Sequence, residues 1–228
     1  MCGRFAASSS SDRLAERFAV DDVAPEASGV GPSWNVAPTA SVLAVLGRHG
    51  ARSLEVVRWG LVPSWAKSPA VGARMINARA ETIATSGAYR GALASRRGII
   101  PMDGFYEWRR QPGGGRQPFY FSAKGGEVLA VAALWELWRD PAGVWLVSTT
   151  IVTTAARSPV AGIHDRMPAV LGPTQVAPWL DSTSVGPGEA VAIATSESGS
   201  EPLEGWPVDR AINRVANDGP ELVRVLLT

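Results

Sequence analysis

Cysteine is nearly absent from this chain: Cys2 alone serves all 228 residues, which excludes an internal disulfide. Histidine is almost as scarce. His49 and His164 complete no ligand cluster at metal-site spacing, so neither a structural metal nor a cofactor is expected. No apolar run approaches the ~18 residues needed for a membrane-spanning helix, and the N-terminal region lacks the basic, apolar and small-residue order of a signal peptide. The expectation is a cytoplasmic protein with no membrane partner.

Net charge is also close to missing, with 22 Lys and Arg against 21 Asp and Glu. The balance is uneven along the chain. Residues 51–120 hold eleven basic and four acidic side chains, whereas residues 121–228 hold seven and twelve. A segregated basic region is the electrostatic footprint of a polyanion partner. A solvated face of varying sign is the other reading of charge alone.

What the chain does have is apolar residues, at 46% of the total, enough for a full core in one domain spanning residues 1–228. "SSSDRLAERFAV" reads as a short helix with a serine or aspartate cap and with Leu14 and Phe18 four apart on one face. Most of the rest reads as strands: "SVLAVLG", "LEVVRWGLV", "GIIPMDGFYEW", "PFYFSA", "VLAVAALWELW", "VWLVSTTIVTT", "MPAVL" and "AVAIAT". "RRQPGGGRQP" reads as a hairpin loop, while "AYRGALAS", "PTQVAPWL" and "RAINRVAN" read as short helices. "DSTSVGPGE" and "TSESGSEPLEGWP" are linker-like. The fold class expected is α+β: a mainly antiparallel or mixed β-sheet closing into a barrel-like core, with peripheral helices.

The one cysteine stands where removal of Met1 would make it the N-terminal residue. Its free amine, with a reference pKa of about 7.7–8.0, and its thiol, at about 8.5, would then form a 1,2-aminothiol. An aldehyde is the natural electrophile for that pair: the amine condenses to an imine, and the thiol closes a five-membered thiazolidine. A buried small apolar cysteine is the plainer alternative. In "GFYEW", strand alternation puts Phe105, Glu107 and Arg109 on one face and Tyr106 and Trp108 on the other. A carboxylate among large apolar groups tends toward a raised pKa suited to acid–base work, although an ordinary paired glutamate fits the same pattern. His164, in "GIHDRMP", sits in a loop-to-strand context where an imidazole can exchange protons near neutrality. "MINARAET" puts Asn77 and Arg79 on one side of an extended segment, and "RWGLVPSW" groups Arg58, Trp59 and Trp65 near Lys67. Basic residues interleaved with aromatics form the stacking-plus-phosphate pattern of single-strand nucleic-acid grooves.

Taken together, "MCGRF", "WNVAPT", "RWGLVPSW", "NARAET", "IIPMDGFYEW" and "HDRMP" resemble, in order, the motifs of the SRAP family, the SOS response-associated peptidases. The resemblance implies the SRAP fold and recognition of abasic sites in single-stranded DNA, with covalent DNA–protein cross-linking through Cys2 after Met1 is lost. It implies that Asn77 positions Cys2, that Glu107 is the acid–base group, and that His164 assists proton transfer, including reversal of the cross-link. Arg4 and Arg79 would contact phosphates, with Arg58, Lys67 and Trp65 lining the groove. AP-lyase activity and self-processing at Met1 are further implications. The implied partner is single-stranded DNA containing abasic sites, single-strand/double-strand junctions included, bound by a monomer that is nucleoid-associated when on DNA. Two alternatives differ in class: an N-terminal-cysteine glutamine amidohydrolase, and a single-strand binding module without covalent chemistry.

Overall fold

The structure of the chain, a computed structural model, describes residues 2–48, 50–197 and 201–226. Met1, whose removal the sequence reading requires, and His49 lie outside the described residues. In chain order the strands are β1 (Phe5–Ala7), β2 (Asp22–Val23), β3 (Ser33–Val36), β4 (Ser41–Arg48), β5 (Ala51–Trp59), β6 (Asn77–Arg79), β7 (Arg97–Met102), β8 (Gly104–Arg110), β9 (Arg116–Ala123), β10 (Leu129–Arg139), β11 (Trp145–Ala155), β12 (Arg166–Pro168), β13 (Val170–Leu171) and β14 (Leu203–Pro207). The α-helices are α1 (Ser11–Arg17), α2 (Arg90–Ser95), α3 (Pro173–Leu180) and α4 (Pro187–Thr195).

The long apolar runs become a closed five-stranded barrel. β4 pairs antiparallel with β5 and β7, β7 with β10, and β10 with β11. A short parallel junction, Ser148 opposite Arg58 and Thr149 opposite Trp59, joins β11 to β5 and closes the ring. Both faces of β4, β7, β10 and the second half of β11 are buried, which is why β4, β7 and β10 read as nearly continuous apolar runs, whereas β5 is fully buried only at Leu54, Val57 and Trp59. On one face Val45, Ile99, Leu134 and Val152 pack with residues of the helices, among them Leu14, Leu93, Trp179 and Ala190. On the other, Val42, Leu46, Ile100, Val131 and Ile151 pack with Cys2, Phe5, Phe105 and Phe121.

Phe5, Phe105 and Phe121 come from a second sheet, ordered β14-β9-β8-β1-β3, and Cys2 lies just before its strand β1. The chain leaves β7 in the barrel and enters β8 in this sheet across one residue, Asp103. Its carboxylate accepts from the Ser8 and Ser9 backbone N–H groups and from both serine hydroxyls, at 2.5–3.1 Å, fixing the crossing against β1. Gly104 follows because a Cβ there would lie 2.3 Å from Tyr120 Cζ and 2.4 Å from the Phe121 carbonyl oxygen.

Several sequence expectations need correction: "GIIPMDGFYEW", read as one run, is divided at Asp103 between β7 and β8 of different sheets. "AVAIAT", read as a strand, belongs to α4. Its alanines favour helix, Pro187 stands at the first helical position, and Ala190 and Ala194 present small side chains to the core shared with α3 and the barrel. The linker-like "LEGWP" forms β14 and pairs with β9 over five residues, Leu203–Pro207. "RAINRVAN" yields only a 3-10 turn at Arg210–Asn213.

Candidate active site

Strand register begins the construction of the site. β1 runs antiparallel to β8, with Phe5 opposite Phe105 and Ala6 opposite Gly104. The Tyr106 N–H continues the ladder by donating to the Arg4 carbonyl at 3.0 Å. The residues preceding Arg4 therefore run alongside the Glu107 end of β8. Phe5 locks this placement by packing edge-on against Trp59, ring centroids 5.0 Å apart.

Cys2 is fully buried, and its thiol faces the Arg4 carbonyl at an Sγ–O distance of 3.9 Å. Asn77 Nδ2 donates to the Cys2 carbonyl at 2.8 Å. The Asn77 side-chain oxygen is buried and accepts no hydrogen bond among the described residues. β11 is the common scaffold for the rest: β6, carrying Asn77, pairs with it in parallel at Ile151–Thr153, and β12 pairs antiparallel at Thr153–Ala155. The loop before β12 carries His164 to the site, with Nε2 3.9 Å from Glu107 Oε2. His164 Nδ1 lies 2.9 Å from the Arg166 backbone nitrogen and 2.9 Å from Asp165 Oδ1.

Electrostatics divide these groups by task. Glu107 is 2% exposed, and burial, reinforced by the charge of Asp165, pushes its carboxyl up to about 7. It therefore exchanges its proton near neutral pH. Burial also raises the Cys2 thiol, with the Glu107 charge adding to the effect, so the thiol rests protonated. Burial lowers His164 below its ordinary value, and the Asp165 charge opposes that shift. The arrangement is a protonated thiol beside a carboxyl group that can give or take a proton, backed by an imidazole.

Around this centre the other site residues named from the sequence take separate positions. Arg79 is exposed and shares the Asn77 face of β6 by strand alternation. Trp65 is 69% exposed on the segment following β5, and Lys67 is exposed beside it. That segment is anchored: the Val62 N–H donates to Ser148 Oγ at 2.8 Å and Trp138 Nε1 donates to the Ala66 carbonyl at 2.7 Å. Arg58 is half-buried, with Nη1 on the Pro69 carbonyl at 2.9 Å. Arg4 turns away from Cys2, its Nη1 donating to Asn35 Oδ1 at 2.6 Å and the Ile212 carbonyl at 3.1 Å. Cys2, Asn77, Glu107 and His164 thus come together. Arg79 shares Asn77's strand face, Trp65 and Lys67 stand on the exposed segment, and Arg58 and Arg4 are tied to the fold.

Sequence reasoning passed over four supporting residues. Asn35, in "WNVAPT", orients Arg4 and donates to the carbonyls of Arg214 and Asn217. Arg166 grips Glu81 bidentately at 2.5 and 2.9 Å and reaches the Thr153 carbonyl at 2.7 Å, tying β12 to β11 and to the segment after β6. Asp165 flanks His164. Three of the four, Asp165, Arg166 and Glu81, lie within "HDRMP" and "NARAET", so the signal was the motifs themselves, read one residue further.

The family model described as SOS response associated peptidase (SRAP) matches residues 1–215. The chain is 36% identical to the abasic site processing protein YoqW of Bacillus subtilis over 223 residues, covering 98% of this chain and 99% of that one. It is 34% identical to the abasic site processing protein YedK of Escherichia coli over 232 residues, with 98% and 99% covered. Against the abasic site processing protein HMCES of Gallus gallus it is 33% identical over 261 residues, with 97% of this chain and 76% of that one covered. A solved structure from Bacteroides thetaiotaomicron superposes with a TM-score of 0.85 at 21% identity, covering 99% of this chain and all of the other, and shares the fold.

Proposed function

The chain belongs to the SOS response associated peptidase (SRAP) family, and on that premise we propose that it captures abasic sites in single-stranded DNA through Cys2 once Met1 has been removed. The observation that carries the reading is the seating of Cys2: its carbonyl is held by Asn77, and its register brings it beside a carboxyl group titrating near neutrality. Hydrolysis of the Met1–Cys2 bond consumes one water and frees the Cys2 amine. That amine adds to the aldehyde of the ring-opened deoxyribose, and the resulting hemiaminal loses water to give an imine. The thiol then adds across the C=N bond: sulfur bonds to carbon and the thiol proton passes to nitrogen, closing the thiazolidine. The net change is one aldehyde and one aminothiol converted to one thiazolidine and one water.

Each neighbouring group has a task in this sequence. Protonated Glu107 donates to the departing hydroxyl of the hemiaminal, which leaves the imine protonated on nitrogen. Its carboxylate then takes the thiol proton that burial otherwise retains and is restored to the acid, so the net change equals addition of the thiol across a neutral imine. Asn77 fixes the Cys2 main chain, and its buried side-chain oxygen offers an acceptor for the liberated amine. His164 supplies or removes protons at Glu107, including during reversal. The imine also acidifies the adjacent sugar carbon, so elimination of the 3′ phosphate, an AP-lyase step, competes with ring closure. Trp65 offers a stacking surface, and Arg79, Lys67 and Arg58 contact backbone phosphates without base readout. Arg4 contributes charge from behind Cys2.

The test is incubation of the protein with a single-stranded oligonucleotide carrying one abasic site, followed by denaturing electrophoresis. The wild type is expected to give an adduct stable without reductant. Cys2→Ala is expected to give none while keeping most noncovalent affinity. The same stable adduct in Cys2→Ala would refute the aminothiol. Cys2-dependent glutamine hydrolysis without any adduct would favour the amidohydrolase.

A further inference from the structure

His164 Nδ1 is unusual in being offered both a hydrogen-bond donor and an acceptor. The Arg166 backbone N–H points at it from 2.9 Å, and Asp165 Oδ1 lies at the same 2.9 Å. A neutral imidazole carries its proton on one nitrogen only. With the proton on Nε2, Nδ1 accepts from Arg166. With the proton on Nδ1, that nitrogen donates to Asp165. Most histidines have one such partner, which selects one tautomer. Here the main chain favours one tautomer and the side chain of the preceding residue the other, so both are provided for.

The two ends of this system differ in their access to water. Glu107, 3.9 Å from Nε2, has a side chain only 3% exposed, whereas the Asp165 side chain is 86% exposed. We propose that Asp165 is a positioning residue that makes His164 a two-way proton relay between solvent and the buried Glu107. Inward, a proton arriving from water at Asp165 binds Nδ1 while the Nε2 proton leaves for Glu107, ending with the Asp165-bound tautomer. Outward, the Glu107 proton binds Nε2 while the Nδ1 proton leaves through Asp165 to water, ending with the Arg166-bound tautomer. Each passage moves one proton and leaves the imidazole neutral. A cross-link that must both form and reverse requires both directions, and to that extent the inference deepens the proposed function and rests on it.

Among the described residues, the charged and titratable groups acting on His164 are Glu107 from β8, Asp165 beside it and Arg116 from β9, and the charge of the chain's terminal amine also lowers its pKa. Arg166 presents only its backbone N–H to Nδ1, because its guanidinium is committed to Glu81 and Thr153. Among the described residues, Asp165 is therefore the charged group beside Nδ1 that can be neutralised while the β12 clamp is left intact; its removal also withdraws the push its charge gives the Glu107 carboxyl.

Histidine 15N chemical shifts test this directly, because they report protonation at each ring nitrogen in the DNA-free protein. His164→Gln assigns the signals, and Asp165→Asn and Asp165→Ala are the variants. The wild type is expected to show both tautomers in exchange. Asp165→Ala, which removes the acceptor, is expected to collapse to the Nε2–H form, and Asp165→Asn, which keeps an acceptor oxygen without the charge, to shift part of the way. In both, the titration midpoint is expected to fall by roughly half a unit, the size of a solvent-exposed charge effect. The cross-link reversal rate near neutrality should fall about three-fold in parallel. Unchanged tautomer populations and midpoint in both variants would overturn the relay. Changed tautomers in a protein whose wild type forms no cross-link would retain the relay and remove the proposed function.

Discussion

Two buried ionisable side chains, Arg97 at the start of β7 and Glu107 in the middle of β8, lie on consecutive strands of different sheets and are treated in opposite ways. Arg97, at the start of β7, has no exposed surface. Its guanidinium is surrounded by main-chain acceptors: the carbonyls of Leu93 at 3.0 Å, Trp179 at 2.5 Å, Asp181 at 2.5 Å and Val185 at 2.9 Å. These come from α2, from the end of α3 and from the segment after it, so one charge fastens the helical layer to the barrel. Glu107 on β8 is nearly as buried, yet its neighbours are groups that exchange protons: the Cys2 thiol, the His164 imidazole and, beyond it, Asp165. A buried charge surrounded by fixed dipoles stays charged and serves structure. A buried carboxyl among titratable groups sits near neutrality and is suited to proton exchange.

Removing Glu107's ability to titrate should give the largest effect. Glu107→Gln is expected to slow cross-linking by roughly 10²–10⁴-fold and to erase the inflection near pH 7 in the rate profile. An unchanged profile would place Glu107 in the same class as Arg97. Stability offers a second reading of the same group. Its carboxyl titrates at about 7 in the fold against an ordinary 4.5, so the folded state holds that proton more tightly. The contribution to stability is complete below about 4.5 and is lost as pH rises through about 7. The glutamine variant should therefore show a shallower decline in urea midpoint across that window.

Arg97→Met should reverse the pattern. Four carbonyls lose their shared donor, and the expected loss is about 3–5 kcal/mol in denaturant unfolding, with cross-linking by the surviving folded protein unchanged. Slower cross-linking at full stability would erase the contrast. At the rim, Trp65→Ala is expected to weaken single-strand binding by about 1–3 kcal/mol. Arg79→Ala should flatten the salt dependence by about one phosphate contact, a slope change of about 0.7. An unaltered slope would remove Arg79 from the groove.

The sequence carried the barrel well because β4, β7 and β10 are buried on both sides and could be recognised from apolar runs alone. It carried the edges poorly. β14 hid in a polar, glycine-containing stretch because three of its residues, Leu203, Trp206 and Pro207, are only half-buried and the other two are exposed. "IIPMDGFYEW" read as one strand, since nothing local reveals that Asp103 hands the chain from one sheet to the other. At the site, the alternation of Asn77 with Arg79 and of Glu107 with Phe105 was legible as spacing. The partners of Arg4 were not, because Asn35 and Ile212 lie 31 and 208 residues away. Nor was the double environment of His164 Nδ1, which arises from the backbone turn through Asp165 and Arg166.

The most direct measurement is mass spectrometry of the N-terminal peptide released from the protein after reaction with the abasic oligonucleotide. The account requires a peptide that has lost Met1 and gained the sugar fragment minus one water, with both the Cys2 nitrogen and the Cys2 sulfur bonded to the former aldehyde carbon. A DNA adduct on any other residue, or on a chain that still begins with Met1, would contradict it.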